Sequence, residues 1–300
     1  MCNALATMDL SIIIVNWNTK DLLRTCLNSI FEKTRGVTFE VFVIDNASKD
    51  GSVEMIRQNF PNVRLIANSQ NKGFAAANNQ GIQLSRGANV VLLNPDTELI
   101  EDSLTLLVTF MEHHRNCGIC GCHLLNPDRS HQSSVRRFPT FPDQLLILLK
   151  IHHLFPNTSI FQRYQAHDMD YTKAQSVDQV MGACFLVKRV VFEKIGLLDQ
   201  RFFNWFEEVD FCKRAKGAGY SIWYTGDTSM IHHYGQSFGQ LLPLPKQKMW
   251  NRSLRYYFYK HHSIFAFAAI ALASWISLIM VGVLQRLRAI APSTHARNTL

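Results

Sequence analysis

No acidic residue follows Asp227 in the 300-residue sequence. The cations continue: Lys246, Lys248, Arg252, Arg255, Lys260, Arg286, Arg288 and Arg297. Taking these 8 from the 31 Lys and Arg leaves 23, the number of Asp and Glu, so residues 1–227 are formally neutral and the charge of +8 belongs to the tail. That argues against a nucleic-acid-binding core, whose basic surface would lie within the folded domain. A secretory leader is not expected, because MCNALATMDL has neither a basic start nor a long apolar stretch. The 7 cysteines are odd in number and outline no disulfide framework, which reads as reduced thiols in a cytosolic domain. Cys117, Cys120 and Cys122 lack a second Cys/His pair for a closed zinc site and read as small buried residues of a Gly-rich strand. No Gly-rich phosphate loop follows the first apolar run, so neither a Walker A nor a dinucleotide fingerprint is present. The missing glycines also count against a sugar-phosphate nucleotidyltransferase.

What is present is a repeated strand–loop–helix order. The charge-free β-branched run at Leu10–Val15 and the apolar runs at Val41–Ile44, Val63–Ala67 and Val90–Leu93 read as strands. Apolar residues at helical spacing predict helices over Asp21–Glu32, Val53–Asn59, Ala75–Leu84 and Ser103–His113. This order predicts an α/β fold, a parallel sheet with right-handed crossovers. Each strand ends in polar residues: Asn16, Asp45 with Asn46, Asn68, and Asn94 with Asp96. Polar groups at successive carboxyl ends of one sheet converge on one cleft. Pro95 has no N–H for a ladder, so the Val90 strand should stop there with Asp96 at its end. Asn, Pro and Asp also form ordinary turns, but four such endings in register favour a ligand site.

The second half is expected to hold a strand over Ile119–Leu125, an apolar core helix over Asp143–Phe155 and a variable loop over Arg163–Ala174. Strands follow near Gln179–Lys188 and Tyr220–Tyr224. Between them lies FFNWFEEVDFCKR, with Glu207, Glu208 and Asp210 within four residues among aromatics. On a helix starting there, Glu207 and Asp210 share a face and Glu208 points elsewhere. Such acids also suit a solvated first helical turn, but aromatic neighbours oppose solvation and raise a carboxylate's pKa into a general base's range. His232 and His233, closing the last strand, are candidate metal or phosphate contacts.

These segments resemble a known family. NWN at 16–18, IDNASKDGS at 44–52, NKGFAAANNQGI at 71–82, LLNPDTE at 92–98, MGACFLVKR at 181–189, FNWFEEVDFCKRAKGAGY at 203–220 and HHYGQS at 232–237 are similar to inverting family 2 glycosyltransferases, in the family's order over about residues 10–262. The rhamnosyltransferase-like branch is the most similar. The resemblance implies a GT-A (Rossmann-like) fold, a mixed and mostly parallel sheet flanked by helices, a nucleotide-sugar donor, and Mg²⁺ or Mn²⁺. Its implied donor contacts are Asn16, Asp45, Asn46, Lys72, Asn79, Asn94 and Asp96. Asn94-Pro95-Asp96 stands where the family has DxD, with Asp96 and His232 implied at the metal. Glu207-Glu208 resembles the family's ED pair, whose second member is the expected base. Because that member is Glu here, the base stays open among Glu208, Glu207 and Asp210. The implied reaction is transfer of a rhamnose-like sugar from a dTDP- or UDP-sugar to a hydroxyl, in cell-wall or polysaccharide biosynthesis. The alternative is a catalytically silent sugar-nucleotide-binding subunit of a glycan-assembly complex.

The chain divides by composition. Residues 1–9 are expected to be disordered and 10–240 to form the catalytic domain. Residues 241–262 carry cations interleaved with Trp250, Tyr256, Tyr257, Phe258 and Tyr259, the composition of a juxtamembrane segment. Residues 263–285 contain an uncharged stretch from Ile264 to Leu284, long enough to cross a bilayer, and 286–300 form a basic tail. The expectation is a domain on the cytoplasmic face of the membrane, anchored by its C-terminal helix, with a lipid-linked glycan as acceptor and no nucleic-acid partner.

Overall fold

The computed structural model describes residues 8–233, 235 and 239–290. Residues 1–7, with most of the expected disordered N-terminus, lie outside them. So do Tyr234, Gln236 and Ser237 of the HHYGQS motif, and residues 291–300 of the basic tail.

The first half alternates as its apolar periods require. β1 (Leu10–Asn16), α1 (Lys20–Lys33), β2 (Phe39–Asp45), α2 (Ser52–Asn59), β3 (Arg64–Ala67), α3 (Phe74–Leu84) and β4 (Asn89–Leu93) follow in turn. Then come β5 (Thr97–Leu99), α4 (Ser103–His113), β6 (Cys117–Leu125), β7 (His131–Gln132) and β8 (Val135–Arg136). The middle holds α5 (Phe141–Leu148), α6 (Ile151–Leu154), α7 (Ser159–Tyr164), β9 (Gln175–Val177), β10 (Gln179–Val180), β11 (Cys184–Lys188) and α8 (Arg189–Ile195). The chain closes with α9 (Glu207–Gly217), β12 (Ser221–His232), α10 (Pro243–His261) and α11 (Ile264–Ile290).

The main sheet runs β3-β2-β1-β4-β11-β6-β12-β5, with β7 on β6 and β9 on β12. β3, β2, β1 and β4 are parallel, β11 is antiparallel to both neighbours, and β6 and β12 are again parallel. This is a mixed GT-A-like sheet with helices on its faces. β1 and β4 are fully buried, which is why both read as unbroken apolar runs. The chain turns one way from β1 to β2 and the other way to β4, so a crevice opens at their carboxyl ends.

Three expectations change. The Asp143–Phe155 helix is broken, because Lys150 takes a left-handed conformation (φ 60°) between α5 and α6. The strand expected over Tyr220–Tyr224 continues to His232, through a register shift between Thr225 and Ser229. Residues 241–262 do not stand apart from the catalytic domain. α10 packs its aromatics into the catalytic domain, where Tyr257 and Phe258 are buried with Phe202, Phe206 and Leu254. α11 returns antiparallel along α10. Among the described residues it is the one helix long and apolar enough to cross a membrane, with mean hydropathy 2.4 over Ile264–Leu287.

Candidate active site

The crevice is a cavity of about 460 Å³, within the usual range for small-molecule sites. Its floor comes from the strand ends. Asn16 Nδ2 donates to Asp45 Oδ2 (2.8 Å) and Ser48 Oγ (3.1 Å), and Thr19 Oγ1 donates to Asn16 Oδ1 (2.7 Å). Asn16 and Asp45 are thus buried beneath the cavity and hold its floor. Asn46 lines the cavity itself, accepts from Asn68 Nδ2 (3.0 Å) and donates to Gly73 O (3.2 Å). Gly73 is required here. Its φ is +83°, and a Cβ would stand 2.4 Å from Phe203 O, so this close approach locks the loop before α3 against the loop before α9.

One of the expected donor contacts, Asn79, points elsewhere. Asn79 spends both ends of its amide on the Leu198 backbone, donating to O (2.8 Å) and accepting from N (3.1 Å). It is buried and ties α3 to the chain after α8. Lys72 is exposed at the rim, and its backbone N–H reaches Asn46 Oδ1 (3.5 Å). Trp17, Asn71 and Gly182 do line the cavity and were not singled out from sequence as contacts.

The Val90–Glu98 stretch behaves as Pro95 dictates. β4 stops at Leu93, Asn94-Pro95-Asp96 turns, and Thr97 accepts the turn by donating to Asn94 O from both N (3.2 Å) and Oγ1 (2.7 Å). The chain then enters β5, which pairs with the end of β12 so that Thr97 faces His232. This pairing brings together residues 138 positions apart: Asn94 Nδ2 stands 3.2 Å from His232 Nε2. Asp96 Oδ1 lies 3.3 Å from the same nitrogen.

The histidine's tautomer follows from its other side. His232 Nδ1 lies 2.6 Å from Gln132 Oε1. Gln132 Nε2 donates to Asn126 Oδ1 (2.8 Å) and to His232 O (3.0 Å), two acceptors that fix the amide with its oxygen toward the ring. Nδ1 therefore carries a proton, and Nε2 of the neutral ring accepts from Asn94 Nδ2 beside Asp96. That is the arrangement by which an outer carbonyl orients a metal-ligating histidine. A carboxylate and an imidazole fit a Mg²⁺- or Mn²⁺-type ion only when substrate oxygens and water complete its shell. Among the described residues no group of three or more His, Cys, Asp or Glu side chains could hold a metal by itself. Gln132 was missed because it sits in a two-residue strand within a stretch that reads as polar loop.

On the opposite wall, α9 begins with the acids. Trp205 and Phe206 precede it with φ of 63° and 71°, a left-handed pair of bulky residues. Such backbone is strained at about 1–3 kcal/mol per residue and persists only when its surroundings impose it. Here Phe206 packs within a cluster of tilted rings, 5.8 Å from Trp250 and 5.5 Å from Tyr257 of α10. The result corrects the helical-face expectation: Glu207 and Glu208 both line the cavity, and Asp210 does not. Asp210 is instead held by Arg214 (2.8 Å), Lys260 (2.7 Å) and His261 (2.7 Å), so it bolts α9 to the end of α10. Burial pushes its carboxyl up, but His261, Lys260 and Arg214 outweigh that and hold it below the usual range. Glu207 Oε2 and Glu208 Oε2 are buried without a hydrogen-bond partner. Burial, then the charge of Glu208, pushes the Glu207 carboxyl well up; burial pushes Glu208 up. Two acids, each with one unpartnered oxygen, thus share one cleft with a carboxylate–imidazole pair.

The model for glycosyl transferase family 2 matches residues 11–196. The chain belongs to that family. It is a nucleotide-sugar-dependent glycosyltransferase with a GT-A fold. A relative from Mycobacterium tuberculosis, N-acetylglucosaminyl-diphospho-decaprenol L-rhamnosyltransferase, is 28% identical over 215 residues, covering 67% of this chain and 68% of that protein. The low-salt glycan biosynthesis hexosyltransferase Agl10 of Haloferax volcanii is 28% identical over 240 residues, 77% of this chain and 70% of that one. The mannosyltransferase PcManGT of Pyrobaculum calidifontis, solved with GDP-Man and Mn²⁺, superposes at TM-score 0.57 and 16% identity over 96% of this glycosyltransferase and 77% of that chain. GalNAc-T7, solved with UDP, GalNAc and Mn²⁺, superposes at TM-score 0.58 and 17% identity, over 84% of this chain and 48% of that one. These two likenesses concern the fold.

Proposed function

We propose that this glycosyltransferase moves a hexose, rhamnose-like, from a dTDP- or UDP-sugar to a hydroxyl of a lipid-linked glycan at a membrane, inverting the anomeric centre in a single displacement. The observation that carries the reading is the pair Glu207–Glu208, each with a buried Oε2 that has no hydrogen-bond partner, sharing one cavity with Asp96 and His232. The lipid-linked acceptor is supported by the printed name of the mycobacterial relative. In this reading Asn46 and Asn94 hold the nucleotide sugar over the floor made by Asn16 and Asp45.

Glu208 is the base. It also borders a second cavity of about 120 Å³, shared with Arg136, Tyr164, Trp205 and Trp250. At roughly 30 Å³ of liquid per water, that is room for a few waters or part of one sugar ring. An acceptor ring stacked there on tryptophan would present its hydroxyl to Glu208 from the side away from the nucleotide. Glu208 Oε2 takes the hydroxyl proton as the acceptor oxygen bonds to the anomeric carbon and the bond to the nucleoside diphosphate breaks. No covalent enzyme intermediate is needed. Asp96 and His232 would hold a divalent cation, Mg²⁺ or Mn²⁺, which supplies charge neutralisation of the departing diphosphate. The two Mn²⁺-bound structures of like fold are in keeping with that cofactor.

The test is Glu208→Gln, assayed with a panel of dTDP- and UDP-sugars. Transfer should fall by about 10²–10⁴-fold, the usual contribution of a positioned base, while nucleotide binding survives. Unimpaired turnover would move the base to Glu207. Donor binding without turnover in the unaltered protein would instead favour the silent binding-subunit reading.

A further inference from the structure

α11 has two faces, both apolar, and only one is covered. Ile270, Ala273, Ser274 and Ser277 are buried against α10 and α5. At the same helical spacing on the other side, Phe265 (84%), Leu272 (65%), Trp275 (62%) and Ile279 (65%) are exposed, with Val283 and Leu287 continuing the stripe. The covered face is docked along its length. Tyr259 and Phe267 lie 5.7 Å apart at one end, Asn251 Nδ2 donates to Ser274 O (2.9 Å) midway, and Leu244 N donates to Gln285 Oε1 (3.1 Å) at the other.

This packing has a consequence for the membrane. α10 flanks α11 over the whole depth that a crossing helix would occupy. Lys246, Lys248 and Arg252 of α10 are exposed. A crossing α11 would carry these cations into hydrocarbon, where neither water nor an acid could meet them. No acidic residue exists after Asp227 to pair with them.

We propose that α11 does not cross the bilayer but lies in the interface of an anionic phospholipid membrane, its Phe265–Leu272–Trp275–Ile279 stripe in the acyl boundary and the α10 cations at the headgroups. The occupant follows from charge: an apolar stripe beside unpaired-by-acid cations matches an anionic lipid surface. Leu241, just before α10, and Lys246 and Met249 in its first turns line the large cavity, so the same contact turns that side of it toward the lipid. The inference rests on the membrane association proposed above and adds its geometry; it does not depend on which sugar is transferred.

Sidedness decides it. In a Cys2→Ser background, Lys248→Cys and Asn298→Cys are each labelled with an impermeant maleimide in sealed inside-out vesicles. α11 lying in the interface puts both on the same side; labelling of one only from the outside and the other only after permeabilisation overturns the proposal. A second measurement guards against a trivial loss. The full chain with Leu272→Asp and Ile279→Asp, both exposed positions, should keep its melting temperature and its nucleotide binding. It should lose at least tenfold in binding to phosphatidylglycerol-containing vesicles. Unchanged vesicle binding overturns the proposal, whereas a tenfold loss of vesicle binding alongside an unaltered protein that transfers no sugar from the donor panel would count against the functional reading alone.

Discussion

Gln132→Leu isolates the contact that sets the His232 tautomer. Leucine has nearly the length of glutamine but accepts nothing, so the Nδ1 proton loses the oxygen 2.6 Å away. Asn126 Oδ1 and His232 O lose their donor at the same time. Leaving a buried donor unmet costs about 1–3 kcal/mol, and the imidazole answers by turning or by moving its proton to Nε2. Either response removes the Nε2 lone pair that stands beside Asp96. Loss of such outer partners typically weakens metal affinity by about 10–100-fold, or roughly 1.4–2.8 kcal/mol. The assay is Mn²⁺ titration by calorimetry with UDP or dTDP present, since among the described residues no group of three or more His, Cys, Asp or Glu side chains could hold the ion by itself. Gln132→Glu keeps an acceptor on Nδ1 and should retain most of the affinity, which a purely structural role would not predict. Mn²⁺ affinity of Gln132→Leu within twofold of the unaltered protein would refute the reasoning.

Three further outcomes are expected. Because burial raises the Glu208 carboxyl, the acidic limb of kcat/KM should lie above the ordinary glutamate pKa near 4.5; activity, which needs the carboxylate, then fades as pH drops through the raised value. A limb at or below 4.5 would remove that role. Asp96→Ala should abolish metal-dependent donor binding, and calorimetry showing unchanged donor affinity with Mn²⁺ would contradict it. Asp210→Asn breaks a buried ion cluster and should cost about 3 kcal/mol, or roughly 5–10 °C in melting temperature. Asp210's folded pKa is depressed, so its contribution is present above the unfolded value near 3.8 and is lost as pH falls through the folded one. The stability gap between Asp210→Asn and the unaltered protein should therefore narrow only in strong acid.

The strand order of the first half was legible because β1, β2 and β4 are buried on both faces, and a doubly buried strand leaves an unbroken apolar run. Their polar endings were legible for the same reason: the run stops where the sheet stops. What could not be read was pairing at a distance. β5 has three residues and no period, yet its ladder with β12 is what carries Asp96 to His232. Gln132 was invisible likewise, since a glutamine in a two-residue strand differs in nothing from one in a loop. Asn79 misled because a buried asparagine on a small-residue helix reads alike whether it meets a ligand or a backbone. The acids at 207–210 were found, but their faces were misjudged: helical spacing assumes an ordinary first turn, and Trp205 and Phe206 enter α9 left-handed.

That left-handed entry links the two ends of the molecule. Phe206 and Trp205 hold Glu207 and Glu208 at the cleft, yet nothing within 203–210 makes a left-handed phenylalanine favourable. The constraint comes from α10, through Trp250 and Tyr257 on the Phe206 ring and through Lys260 and His261 on Asp210. α10 is in turn clamped from outside by α11. Trp250 and Tyr257, which composition assigns to a membrane surface, therefore serve the active site. A perturbation of the α10–α11 seam, such as Asn251→Ala, should then reach the acids. It removes the bond to Ser274 O and should lower kcat while leaving Mn²⁺ and nucleotide binding, which depend on the β4, β5 and β12 ends, unchanged. Equal losses in kcat and nucleotide affinity would mean that the seam supports the whole cleft rather than the acids.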